Sequence, residues 1–203
     1  MDHVNISVER TAELHVLAAG YNHNHDEVSA RVGSTVTYVH DGALRLVVDP
    51  GLITRPDAVL DPLAALGVEP GKITDVVFSH HHPDHTLNAA LFPNARAHDH
   101  WAIYRDDLWT SRPAEGFALS PSVKLIETPG HTPQDITTIV GTPRGVAALT
   151  HLWWSHHGPA EDPYATDPTA FHTNRRRVLA IEDLTLIVPG HGEPFTPSED
   201  TAR

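Results

Sequence analysis

The sequence predicts a mixed fold of strands and helices, α/β or α+β, on three observations. Short β-branched runs end at Gly, Pro or Asp; segments between them carry apolar residues at helical spacing; and 203 residues run without a Gly/Ser-rich linker or charge block. Length and continuity together predict a single domain over residues 1–203.

Val4 to Val8, Leu14 to Ala19, Ser34 to Val39 and Leu44 to Val48 read as strands between turn residues, an opening antiparallel sheet. Between them Gly20 to Asp26 (GYNHNHD) reads as a long polar loop. Pro56 to Leu66 spaces its apolar residues for a helix, with Gly67 as the stop. Ile73 to Ser79 (ITDVVFS) is a buried strand by composition, followed by a helix from Asp84 to Leu91, a short strand near Ala95 to Ala97 and a helix from Asp99 to Asp107. In the second half, Val123 to Glu127, Asp135 to Val140 and Val146 to Thr150 are strands, Pro168 to Glu182 a helix and Leu184 to Val188 the last strand.

His80-His81-His82-Pro83-Asp84-His85 stands at the end of the Ile73 to Ser79 run, in HxHxDH spacing. On an extended backbone His80 and His82 share a side and His81 takes the other. Pro83 keeps His82 out of the α region and suits the turn into a helix, which puts Asp84 and His85 in the first turn. Asp84 alone would be an ordinary N-cap. With 17 histidines in 203 residues, the pattern arises by accident roughly once in a hundred such chains. The same arrangement recurs downstream, however. Val123 to Glu127 is followed by Thr128-Pro129-Gly130-His131, and Leu184 to Val188 by Pro189-Gly190-His191-Gly192. Three strand ends each deliver histidine to a turn, the edge where α/β folds place their sites.

Charge and composition narrow the function. Acidic residues outnumber basic ones 26 to 14, a net charge of −12, which disfavours nucleic acid as a partner. Arg175-Arg176-Arg177, the one basic cluster, reads as the solvated face of a helix. The absence of cysteine excludes disulfides, a thiolate nucleophile and Cys-type zinc sites. No leader pattern and no run of 18 apolar residues is present, so the expectation is a cytoplasmic chain, off the membrane, acting on a small-molecule substrate; a homo-oligomer is left open.

With His80, His82, Asp84, His85, His131 and His191, and with Val47-Val48-Asp49-Pro50-Gly51 upstream, the chain resembles the metallo-β-lactamase fold superfamily over nearly its whole length. The segment from Glu161-Asp162-Pro163 through Arg175-Arg176-Arg177-Val178-Leu179 to Gly192 carries a narrower likeness, to the branch of metallo-β-lactamase domain-containing protein 1 and its bacterial relatives. The resemblance implies an α+β fold, a four-layer αββα sandwich. It also implies one metal held by His80, His82 and His131 and a second by Asp84, His85 and His191. Where the family has a bridging aspartate, this chain has His151. A neutral imidazole offers one lone pair, so His151 suits a terminal ligand, and a bridge only as imidazolate. Two metals, one metal with a weak second site, a metal other than zinc, and a merely hydrogen-bonded His151 all remain open at this point.

Nitrogen and oxygen donors suit zinc, one or two per chain, and also iron or manganese. The implied activity is hydrolysis of an ester, thioester, lactone or related small electrophile by activated water, with Asp84 as the catalytic residue that orients or deprotonates the water. An iron-dependent oxygenase and a non-catalytic histidine-rich metal binder are the alternatives. Asp49 reads as support for a ligand histidine. His23 and His25 read as solvated loop; Trp153 and Trp154 as packing that could wall the pocket; His98, His100 and His172 as structural; His3, His15 and His40 carry no signal.

Overall fold

Alternating strand residues face opposite sides of a sheet, and here the alternation separates one core between the sheets from two outer ones. The computed structural model describes residues 6–52 and 55–203. In chain order they form β1 (Glu13–Ala18), β2 (Tyr21–Asn24), β3 (Ala30–Gly33), β4 (Val36–Asp41), β5 (Leu44–Val48), α1 (Asp57–Ala65), β6 (Asp75–Val77) and α2 (Pro83–Thr86). These are followed by β7 (Arg96–His98), β8 (Ala102–Arg105), β9 (Leu108–Ser111), β10 (Ala118–Ser120), β11 (Val123–Glu127), β12 (Ile136–Thr142), β13 (Gly145–Thr150), α3 (Pro168–Leu179) and β14 (Leu184–Pro189). One sheet has the order β1-β4-β5-β6-β7-β8-β9, a second β10-β11-β12-β13-β14, and β2 pairs with β3 alone.

Leu46, Val48 and Val77 point into the core between the sheets, where they meet Leu125, Leu149 and Val188. Val47 and Val76 point outward onto Val59 and Leu63 of α1, while Ile126, Ala148 and Ile187 lie on Phe171 and Val178 of α3. The result is the four-layer αββα sandwich, an α+β fold. Each buried Val, Leu or Ile contributes about 1.5–3 kcal/mol, and the three clusters account for the layering. The sheet rims that carry the histidines are tied by backbone bonds: Ile136 N–H donates to Ser79 O at 2.8 Å and Thr35 N–H to Gly190 O at 2.7 Å.

Several elements depart from the sequence reading. Asp99 to Asp107 is no helix. The Asp99 carboxylate accepts the N–H of Trp101 (2.8 Å) and Ala102 (2.9 Å), which turns the chain into the β8–β9 hairpin, closed by Asp106 at φ 54° with Tyr104 and Trp109 paired across it. The Asp84 to Leu91 helix is one α turn followed by a 3-10 segment over Leu87–Leu91. Asn88 N–H bonds to Gly51 O at 2.9 Å, outside the helix, and that ends the i−4 pattern. α3 begins as expected, its Asp167 cap accepting Ala170 N–H, but stops at Leu179 and not at Glu182. Gly20 to Asp26 contains a strand, β2, paired with β3. Of Val4 to Val8, residues 4 and 5 lie outside the described residues and 6–8 form no strand.

The arginine run is a solvated face only in part: Arg176 is exposed and Arg177 half-buried. Arg175 is fully buried, donating to the carbonyls of Leu152 (2.8 Å), Pro159 (2.8 Å) and Ala160 (2.5 Å). Phe171 stacks on its guanidinium at 4.3 Å. One cation thereby gathers the loop that follows β13.

Candidate metal centre

His80 follows β6 through Phe78-Ser79, and His82 takes extended angles (φ −65°, ψ 145°) as the cap of α2, as the proline after it demands. Asp84 and His85 lie within α2. From the other sheet come His131 after β11, His151 directly after β13 and His191 after β14. His82 Nδ1 and His131 Nε2 are 3.1 Å apart, His151 Nε2 and His191 Nε2 3.0 Å, and Asp84 Oδ2 is 3.3 Å from His85 Nε2 and 3.8 Å from His191 Nε2. Two donors sharing one tetrahedral zinc at its usual bond length stand roughly 3.3 Å apart. His80, His82 and His131 form one group of potential ligand atoms, Asp84, His85 and His191 another, each with its atoms within 4.8 Å of one another.

The far side of most rings is tied down. His131 Nδ1–H donates to Asp162 at 2.7 Å, His85 Nδ1–H to Asp49 at 2.8 Å, and His191 Nδ1–H to the Gly33 carbonyl at 3.0 Å; His80 Nδ1 meets Ser79 Oγ at 3.0 Å. A proton held on Nδ1 leaves the Nε2 lone pair facing the centre. Asp49 manages this from a left-handed backbone (φ 51°), tolerated best by Asp, Asn and Gly, with its other oxygen accepting Ser79 N–H at 2.7 Å. Asp162 shows in the sequence only as part of the Glu161-Asp162-Pro163 segment, and no local spacing ties it to His131, 31 positions away.

Burial pushes His80 and His151 well below the usual imidazole range, with neighbouring histidines adding to it, and takes His191 to about 4. His85 is also desolvated, but the Asp49 and Asp84 carboxylates outweigh that and raise it to about 9. Burial alone would raise Asp84, yet the His85 hydrogen bond and charge bring it to about 2. His80 Nε2 and His151 Nδ1 are buried without a hydrogen-bond partner, and His85 Nε2 has only the Asp84 contact at 3.3 Å. Orphan nitrogens among rings that cannot all protonate together are what a divalent cation would satisfy, and the donor set fits one.

The model of the metallo-beta-lactamase superfamily matches residues 30–192. The chain belongs to that superfamily. Metallo-beta-lactamase domain-containing protein 1 of Xenopus laevis is 29% identical over 190 residues, covering 90% of this chain and 80% of that protein. The human protein of the same name is 35% identical over 159 residues, 74% of this chain but 59% of its own length. A candidate metallo-beta-lactamase from Thermotoga maritima has a TM-score of 0.74 at 23% identity, covering 93% of this chain and all of that one. A quorum-quenching N-acyl homoserine lactone hydrolase has 0.65 at 19%, covering 92% and 93%. At these identities the two structures share the fold with this chain.

Within the superfamily frame His151 stands between the two ligand groups. Its ring centroid lies 4.2 Å from that of His131, 4.5 Å from His80, and 5.0 Å from both His85 and His191. Gly190 makes room for it, since a Cβ there would meet His151 Cδ2 at 2.5 Å. Because His191 keeps its proton on Nδ1, the short Nε2 to Nε2 approach needs either a proton on His151 or a shared cation. His23 is exposed on β2 and lines the hollow beside His191, and His25 lies farther along the chain; neither belongs to the ligand groups. Trp153 is core, whereas Trp154 faces the site. His98 bonds to Asp75 at 2.7 Å, and His172 to Glu161 at 3.0 Å and the Arg203 carbonyl at 2.7 Å.

Proposed function

We propose that this chain is a metal-dependent hydrolase, with zinc as its metal, acting on an ester, thioester, lactone or related small electrophile. The observation that carries the reading is the pair of three-donor groups on one rim with their rings fixed from behind by Asp49, Asp162 and Gly33 O. His80, His82 and His131 hold one metal; Asp84, His85 and His191 hold the second, with His151 as a further nitrogen donor to it. A bound divalent cation lowers the pKa of water to near 7 and polarises the substrate oxygen.

Within that setting the chain's own groups orient and move protons. Asp84, ionised at neutral pH and partly open to the cavity, serves as a ligand when the second metal is bound, and otherwise accepts a proton from the attacking water. The water oxygen bonds to the acyl carbon, the C–O or C–S bond to the leaving group breaks with its electron pair, and that group takes up one water proton while the product acid releases the other. In this reading residues 1–203 act as one domain on a small molecule, with no nucleic acid as partner and with a cytoplasmic location; among the described residues no helix is long and apolar enough to cross a membrane.

Asp84, His85 and His191 are also a two-histidine, one-carboxylate set, the donor type of non-haem iron oxygenases. Element analysis of protein purified without added metal separates the readings. Two zinc per chain with ester or thioester turnover supports the hydrolase, and one iron the oxygenase. His131→Ala is expected to lose metal and turnover together; a fully active variant would overturn the assignment.

A further inference from the structure

Over the histidines lies a cavity of about 150 Å³, closed by Asn22 and Val32 of the β2–β3 hairpin on one side and by Trp154 and Tyr164 on the other. A second hollow of about 560 Å³ shares Asn22, Trp154 and His191 with it and runs on between Tyr21 and Pro159. Trp154 stacks on Tyr164 (5.8 Å, 13° between planes) and stands edge-on to His191 (6.2 Å, 89°). The wall nearest the reacting centre is therefore aromatic and continuous with a proposed ligand. Arg175 holds that wall in place through the carbonyls of Leu152, Pro159 and Ala160, which flank Trp154.

The lining is as telling for its charges. No Lys or Arg lines either hollow among the described residues, and the one acidic side chain that does, Asp84, belongs to the second ligand group. A metal pair can answer the charge developing at the scissile group and nothing farther out. A second anionic group on the substrate would meet the side chains of Asn22, His23, Asn24 and Ser155 in the larger hollow but no lysine or arginine, and against Trp154 and Tyr164 it would be desolvated at a cost in free energy that a neutral group of the same size does not incur.

We infer that the substrate carries no anionic group besides the one it develops on reaction: an uncharged acyl ester, thioester or lactone, its electrophilic carbon in the small cavity and its apolar part against Trp154 and Tyr164. The inference rests on the hydrolase reading for the reaction but on the cavity alone for the preference. Octanohydroxamic acid and its analogue ending in a carboxylate probe it, because a hydroxamate anchors to metal whether or not the protein turns over. Titration calorimetry on zinc-loaded protein is expected to show at least tenfold tighter binding of the neutral compound. Asn22→Lys, which supplies a cation at the junction of the two hollows, is expected to erase or reverse that preference with metal content unchanged. Equal affinities, a preference for the carboxylate, or no binding of either compound overturns the inference. Tight binding of the neutral hydroxamate with no turnover of any ester, 4-nitrophenyl octanoate included, refutes the hydrolase reading and leaves the cavity's preference standing.

Discussion

Replacing Asp162 with asparagine removes one charge and almost no volume, yet it should strip metal from one ligand group and spare the other. In the structure one carboxylate oxygen accepts Tyr164 N–H at 2.9 Å and the other His131 Nδ1–H at 2.7 Å. An asparagine that keeps its oxygen on Tyr164 N–H turns its NH₂ toward His131, donor against donor. The imidazole then moves its proton to Nε2, the nitrogen that faces His82 Nδ1 and the centre. Metal binding must reverse that tautomer and forgo a charge-assisted hydrogen bond worth about 1.5–3 kcal/mol, a loss of about tenfold to hundredfold in affinity. Competition with a chromophoric chelator reads this directly: one equivalent of zinc should weaken by that factor and the other stay. Asp49→Asn is the matching control, because its partner is His85 and asparagine tolerates the left-handed backbone at position 49; it should weaken the other equivalent. Unchanged affinities in Asp162→Asn, or equal weakening of both equivalents, would refute the reasoning.

Three further outcomes are expected. His151→Asp restores a bridging donor type, so it should retain the second metal at least as firmly as the native chain, while His151→Ala retains less; dialysis followed by element analysis measures both. Asp99 is almost completely buried, a position that by itself would raise its carboxyl, but bonds from His81, Tyr104 and two backbone N–H groups bring it to about 2 from an ordinary 3.8. A depressed folded value contributes stability that is fully present above pH 3.8 and is lost as pH falls through about 2. The contribution is about 2 kcal/mol, and Asp99→Asn should narrow the denaturant-midpoint difference between neutral and acidic metal-free protein. Arg175→Met leaves three buried carbonyls without a donor and should cost about 3 kcal/mol or more, visible in urea unfolding together with weaker hydroxamate binding.

What could be read in advance follows from where the signal is local. The strands of both sheets show in the sequence because Val47 and Leu46, or Ile126 and Leu125, are apolar on both faces, as a strand between two cores must be. The ligands show because each follows such a strand at a Pro or Gly turn. β2 and β3 do not show. They touch solvent and the cavity, so polar Asn22, His23 and Asn24 fill them and no alternation remains. Asp99 hid a turn behind helix-compatible residues: its side chain, by taking Trp101 and Ala102 N–H, overrode the local pattern. Arg175 misled for a related reason, since its three carbonyl partners lie 15 to 23 residues away. Charge patterning along a helix carries no trace of such contacts.

The donors are split between two sheets, with His80, His82, Asp84 and His85 arriving early in the chain and His131, His151 and His191 late. During synthesis the first group is therefore exposed for a long interval as an incomplete chelate. His191, and with it the second ligand group, is in place only once β14 has paired beside β13. The complete donor set therefore exists only in the closed sandwich. An ion bound there bolts the finished halves together, so its departure should mark the first step of unfolding.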